Sequence, residues 1–169
     1  MAEWQVERLG RDHARQAFSC GKPPLDEFIR RHVSQYEKRN LGRTYLAVRP
    51  GERQVLGYYT LASGSIPFLS MPEASAKKLP AHPVPAILLA RLAVDRSAQG
   101  RGLGAHLLID ALDRSLMISG ELGIHSVEVH AIDVQAGAFY QKYGFLPLLD
   151  NESHLFLPIT SIRTAFPHA

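Results

Sequence analysis

The segment Gln99-Gly100-Arg101-Gly102-Leu103-Gly104 constrains this chain more than any other, because it sits between a strand and a helix and is rich in glycine. Upstream, Ile87 to Val94 reads as a long strand. Downstream, Leu107, Leu108, Ala111, Leu112 and Leu116 form one apolar stripe, which predicts a helix from Leu103 to about Gly120. Glycines at alternate positions let the backbone turn tightly and bring amides close to a ligand without a Cβ in the way. The helix that follows aims its unpaired first amides and the positive end of its dipole at the same place. Such a loop suits a pyrophosphate, and Arg101 offers a charge for a further phosphate.

Several phosphate motifs compete for this loop. A P-loop is excluded, since no lysine followed by Ser or Thr closes the glycine run. Gly100, Gly102 and Ala105 formally satisfy a dinucleotide fingerprint. That motif, however, wants its first glycine at the strand end and an acidic residue ending the next strand, where this chain has His130-Ala131. A glycine turn without ligand stays open on the loop alone.

Around the loop the predicted elements alternate. Asp12 to Phe18 is expected as a short helix with Asp12 as N-cap. A second helix follows Pro23-Pro24, because Leu25, Phe28, Ile29, His32, Val33 and Tyr36 recur at helical spacing. Thr44 to Val48 and Val55 to Ala62 read as a hairpin. Pro67 to Pro85 reads as a loop with at most a short helix. Then come strand Ser126 to Ala131, a helix from the cap Asp133 to Gly144, and a final strand His154 to Leu157. This order predicts an α/β fold with a central mixed sheet in a single domain over residues 1–169.

Composition narrows the setting. No apolar stretch reaches the roughly 20 residues of a membrane helix, and the N-terminus lacks a signal-peptide core, so a cytoplasmic protein is expected. The single cysteine, Cys20, excludes an intrachain disulfide. Scattered histidines, with His125 and His130 on opposite faces of one strand, argue against a metal site. The net charge is only +3, yet Phe28 to Arg49 carries Arg30, Arg31, Lys38, Arg39, Arg43 and Arg49 against Glu37 alone. Such a run can steer a polyanion, or simply form a solvated face.

Leu92-Ala93-Val94-Asp95, followed by Gln99-Gly100-Arg101-Gly102-Leu103-Gly104-Ala105, resembles the Q/R-x-x-G-x-G/A signature of the GNAT N-acetyltransferase superfamily. Ala138-Phe139-Tyr140-Gln141-Lys142-Tyr143-Gly144-Phe145 resembles that family's second block, in the family's order. The resemblance implies a splayed mixed sheet and acetyl-CoA as cosubstrate, without metal. Backbone groups of Leu92, Ala93 and Val94 would hold the pantetheine arm. Gln99, Gly100, Arg101, Gly102, Leu103, Gly104 and Ala105 would cradle the pyrophosphate. Tyr140 stands where the family keeps its general acid. A phenol of pKa about 10 is protonated at neutral pH and can supply the departing thiolate.

Over about residues 5–160 the chain is similar to one branch, the acetyltransferase toxins of toxin–antitoxin pairs. Phe18-Ser19-Cys20-Gly21, Leu25-Asp26-x-Phe28, Gly42-Arg43-Thr44-Tyr45, Gly57-Tyr58-Tyr59-Thr60-Leu61 and His82-Pro83-Val84-Pro85 carry that likeness. It implies acetylation of the α-amine of aminoacyl-tRNA, a block of translation, a ribbon–helix–helix antitoxin as partner, and a homodimer. Arg30, Arg31, Lys38, Arg39 and Arg43 would then contact tRNA phosphates. A housekeeping acetyltransferase of a small amine or protein N-terminus shares the whole cofactor site. A non-catalytic CoA-binding regulatory module would not need Tyr140.

Overall fold

The computed structural model describes residues 3–165. Its strands are β1 (Gln5–Arg8), β2 (Arg43–Val48), β3 (Gly57–Ile66), β4 (Val84–Val94), β5 (Ser126–His130), β6 (Leu146–Pro147) and β7 (His154–Pro158), ordered β1-β2-β3-β4-β5-β7-β6 in the sheet. The β4–β5 pair is parallel, whereas β1–β2, β2–β3, β5–β7 and β6–β7 are antiparallel. The expected mixed sheet is therefore present. The parallel ladder runs only from Ala86 opposite Ser126 to Leu88 opposite Glu128, although β4 continues to Val94.

Contacts divide the chain into two units. The first comprises Met1–Ala62 and Leu89–Ala111. Here the second predicted helix forms as α1 (Pro23–Glu27), a π-helical turn Phe28–His32, and α2 (Val33–Lys38). Proline is tolerated in its first turn because those amides lack intrahelical partners anyway. Phe28, Ile29 and Val33 pack with Phe18, Leu46, Val55, Tyr58 and Ala93 into one core. On β3, neighbouring tyrosines reach opposite ways: the Tyr58 hydroxyl donates to Leu25 O, and that of Tyr59 donates to Asp110. This alternation is the period of two that a strand imposes.

The second unit comprises Ser63–Leu88 and Leu112–Ala169. Ile66, Met71, Val84, Ala86, Leu148 and Phe156 form its core. The proline-rich region carries a 3-10 turn at Phe68–Ser70 and the short α3 (Glu73–Ala76), as predicted, but β4 begins at Val84, inside the expected loop and three residues before the expected strand start at Ile87. The helix α4 (Leu103–Ser119) buries its predicted stripe. The cap Asp133 accepts the Ala136 N–H at 2.8 Å and starts α5 (Val134–Lys142), and Gly144 ends it at φ +96°.

The expected helix Asp12 to Phe18 does not form. Ala14 bridges to Gln54, donates its N–H to Arg53 O, and accepts from Val55 N–H, so its backbone is spent on extended pairing. The carboxylate of Asp12, expected as a cap, meets Arg53 instead at 2.9 Å. Strands β1 and β6 and the C-terminal helix α6 (Ile159–Ala165) are additions to the predicted order. The two strands are short, four and two residues, and form only because longer strands pair with them.

Candidate active site

The glycine loop occupies the turn between β4 and α4. Gly100 and Gly102 have φ of +78° and +89°, the left-handed region that only glycine enters without cost. A Cβ at either would meet nothing within 4 Å, so backbone geometry rather than crowding demands glycine there. Gly104 is different, because it already lies in the first turn of α4. The first helical bond runs from His106 N–H to Gly102 O, which leaves the amides of Leu103, Gly104 and Ala105 at the helix start. Leu103 itself is buried, so any part it takes in binding is through its backbone. Arg101 is exposed and stands 3.9 Å from Glu3.

Gln99 braces this turn. Its side-chain amide donates to Val94 O at 2.9 Å and to Cys20 O at 3.0 Å, tying the loop to the end of β4 and to the segment before α1. Asp95 does the same work one turn earlier, accepting from Ser97 and from Ser19 N–H. Cys20 is a quiet thiol. Burial, then Asp26, pushes its pKa up to about 11, so little thiolate exists at neutral pH.

Tyr140 lies in the second unit on α5. It is buried, with Phe139 and Phe145 ring centroids both at 5.4 Å. Its hydroxyl has no hydrogen-bond partner among the described residues, yet it is not one of the sealed polar atoms. Burial pushes its pKa above the ordinary phenol value, which keeps the proton on oxygen. A proton donor needs that state.

The basic run separates into two kinds of side chain. Arg30 donates to Phe18 O and Arg43 donates to Asn40 Oδ1 at 2.7 Å and to Glu37, so both hold the fold together. Glu37, the one acid of the run, also accepts Thr44 N–H and pairs with Arg8. Arg31, Lys38 and Arg39 are exposed and carry no ion pair among the described residues.

Other groups escaped the sequence reading. His130 and His154, far apart in the sequence, are cross-strand partners with rings stacked at 4.1 Å. His154 places one nitrogen 2.8 Å from the buried Glu128 and the other 2.9 Å from Asp150. Glu128, His130 and His154 bring one ligand-capable atom each within 4.8 Å of one another. Gly64 makes room for the Glu128 carboxylate, which a Cβ there would overlap. The available signal was a charged residue inside the apolar strand Ser126–His130. In the first unit the Arg91 guanidinium lies over the Phe28 ring, an association no local pattern announces.

A strand that runs into a glycine turn and then a helix start with free amides is an arrangement suited to the phosphates of a coenzyme. The profile described as Acetyltransferase (GNAT) domain matches residues 59–147. The "tRNA-acetylating toxin" of Mycobacterium tuberculosis is 39% identical over 147 residues, 87% of either chain. The solved structure "AtaT complexed with acetyl-methionyl-tRNAfMet" is 37% identical with a TM-score of 0.90, covering 96% of this chain and 99% of that one. A tyrosine-to-phenylalanine mutant of AtaT bound to the C-terminus of the antitoxin AtaR and acetyl-CoA is 35% identical with a TM-score of 0.83, covering 98% and 99%. The chain belongs to the GNAT acetyltransferase family, in the branch of the acetyltransferase toxins. It is an N-acetyltransferase that uses acetyl-CoA. Among the described residues no helix is long and apolar enough to cross a membrane.

Proposed function

We propose that this enzyme transfers the acetyl group of acetyl-CoA to the α-amine of aminoacyl-tRNA and so arrests translation. The single observation that carries the reading is a relative at 39% identity that acetylates tRNA by name, matched over most of both chains. The AtaT complex with acetyl-methionyl-tRNA supports the same acceptor. Exposed Arg31, Lys38 and Arg39 supply unpaired positive charge for a phosphate backbone.

In the mechanism proposed, the glycine loop from Gln99 to Ala105 holds the pyrophosphate, and the backbone of Leu92, Ala93 and Val94 aligns the pantetheine arm. The amine nitrogen attacks the thioester carbonyl carbon, and the Val94 N–H stabilises the oxyanion that forms. As the carbon–sulfur bond breaks, the thiolate takes the proton of the Tyr140 hydroxyl, and the phenolate is reprotonated from the released ammonium proton. A free α-amine titrates near pH 8, and an adjacent ester lowers it, so a neutral nucleophile exists without a strong base. Arg30 and Arg43 are kept in the tRNA-binding set through the face they shape, with Arg31, Lys38 and Arg39 as its free charges. A homodimer and a ribbon–helix–helix antitoxin complete the proposal. The complex of AtaT with the antitoxin AtaR supports an antitoxin partner.

The test is in-vitro acetylation of total charged tRNA with labelled acetyl-CoA. Label on the α-amine of the esterified amino acid is expected, released with the amino acid by mild alkali. Label confined to free amines or protein termini would favour the housekeeping reading. Bound acetyl-CoA without transfer to any acceptor would favour a regulatory module.

A further inference from the structure

Arg91 is a charged residue in the middle of β4, where the surrounding strand is apolar. Its guanidinium carbon lies 3.7 Å from the centroid of Phe28 and 5.1 Å from that of Tyr36. The two rings themselves meet edge to face at 5.0 Å. Phe28 opens the π-helical turn, in which Val33 N–H bonds back five residues to Phe28 O. Such turns are rare and concentrate at functional sites. The aromatic pair occupies the face of the guanidinium and fixes its plane, while its in-plane N–H groups take no acceptor among the described residues. The side chain is half-buried, not sealed. A rigid, partly desolvated fork of donors with no internal partner matches a phosphate, to which arginine binds through two parallel hydrogen bonds.

The direction of the side chain tells which phosphate. Arg91 stacks on the π-helical turn between α1 and α2, the same continuous helical segment that carries Arg31 and Lys38 and ends at Arg39. It therefore sits with the acceptor's charges rather than with the glycine loop. Arg91 also lies three residues, or ~10 Å of strand, before Val94, whose amide is proposed to meet the reacting carbonyl. A phosphate held there belongs within about one nucleotide of the reacting amine.

We infer that Arg91, clamped by Phe28 and Tyr36, binds the phosphodiester immediately 5′ of the aminoacylated nucleotide and so positions the acceptor end. The inference rests on the aminoacyl-tRNA reading above. It assigns Arg91 a role that differs from that of Arg31, Lys38 and Arg39, which meet the polyanion farther along and add affinity without placing the amine.

The experiment compares wild type with Arg91→Gln in binding intact tRNA and tRNA lacking its 3′-terminal nucleotide, followed by fluorescence anisotropy. Acetyl-CoA affinity and thermal melting are measured alongside. The expected result is a loss of about 30-fold for intact tRNA, the scale of one charged hydrogen-bonding pair. Truncated tRNA should bind both proteins equally, and acetyl-CoA affinity should not change. Equal losses on both tRNAs, or no loss on either, would overturn the assignment. A parallel loss of acetyl-CoA affinity would place the phosphate on the cofactor and overturn it too. Arg91→Lys keeps a cation over the rings without the planar fork, and serves for the same comparison if Arg91→Gln melts early. It should lose less, about 5-fold. Wild-type protein that binds tRNA but acetylates none refutes the functional reading and leaves the phosphate contact standing. Wild type that binds neither tRNA refutes both.

Discussion

The carboxylate of Asp95 accepts the backbone N–H of Ser19 at 2.8 Å, joining residues 76 positions apart. Arg96 N–H returns a bond to Ser19 O at 2.9 Å. This clasp fastens the segment before α1 to the exit of β4, where the glycine loop begins. Burial alone would raise the Asp95 pKa, but hydrogen bonds from Ser97 and Ser19, with the charge of Arg30, leave it below the usual carboxylate value.

That balance sets a pH dependence. A carboxyl whose folded pKa is depressed contributes stability that is present above its unfolded pKa, near 3.8, and is lost as pH falls through the folded value. Asp95→Asn should therefore cost about 1 kcal/mol at pH 7 and less in strong acid. Urea unfolding at several pH values measures this. A constant difference down to pH 2 would show that the charge is not involved.

At the loop, Gly102→Ala should be strained but unobstructed, since its φ is +89° and no atom lies within 4 Å of the added Cβ. Placing an L-residue there costs about 1–2 kcal/mol. The loop is expected to relax out of the cradle, with acetyl-CoA affinity falling at least about 10-fold and the melting temperature only a few degrees. Isothermal titration of acetyl-CoA decides between this and a neutral substitution.

Tyr140→Phe removes a hydroxyl that bonds to nothing among the described residues. Stability should stay within about 0.5 kcal/mol of wild type. Acetyl-CoA should still bind, and turnover should fall by about 10²-fold or more, the usual scale for a lost proton donor. A wild-type rate in this variant removes Tyr140 from the chemistry.

The basic face should separate by function. Reversing charge at Arg31, Lys38 and Arg39 should weaken tRNA binding and flatten its salt dependence, by about 0.7–0.9 in slope for each phosphate no longer neutralised. Acetyl-CoA affinity should be spared. Reversal at Arg30 or Arg43 should instead lower the melting temperature, because these side chains hold Phe18 O, Glu37 and Asn40. Filter binding across a salt series, beside thermal melts, tests both halves. Unchanged tRNA affinity in the exposed triple variant would discard the proposed face.

Much of this molecule could be read from local patterns. The stripe from Leu103 to Leu116 is a helix, Asp133 caps the next one, and the prolines between Pro67 and Pro85 keep that region irregular. The glycine turn was legible for the same reason, whereas nothing in the residues beside Tyr140 marks it, and only the resemblance to a family singles it out. Asp12 misled because its capping chemistry is equally satisfied by a distant arginine, Arg53, once Ala14 is drawn into pairing with Gln54.

Sequence alone determined where the backbone turns, which helix faces an interior, and that a glycine turn precedes α4, since these depend on residues three or four positions apart. Only the tertiary structure decided which charges are free. Arg30 and Arg39 are alike in the sequence, yet one is spent on Phe18 O and the other faces solvent. Arg91 acquires its plane from Phe28, 63 positions earlier, and Glu128 meets His154 from another strand. Such pairs form when the chain returns on itself, and no local propensity records where it will return.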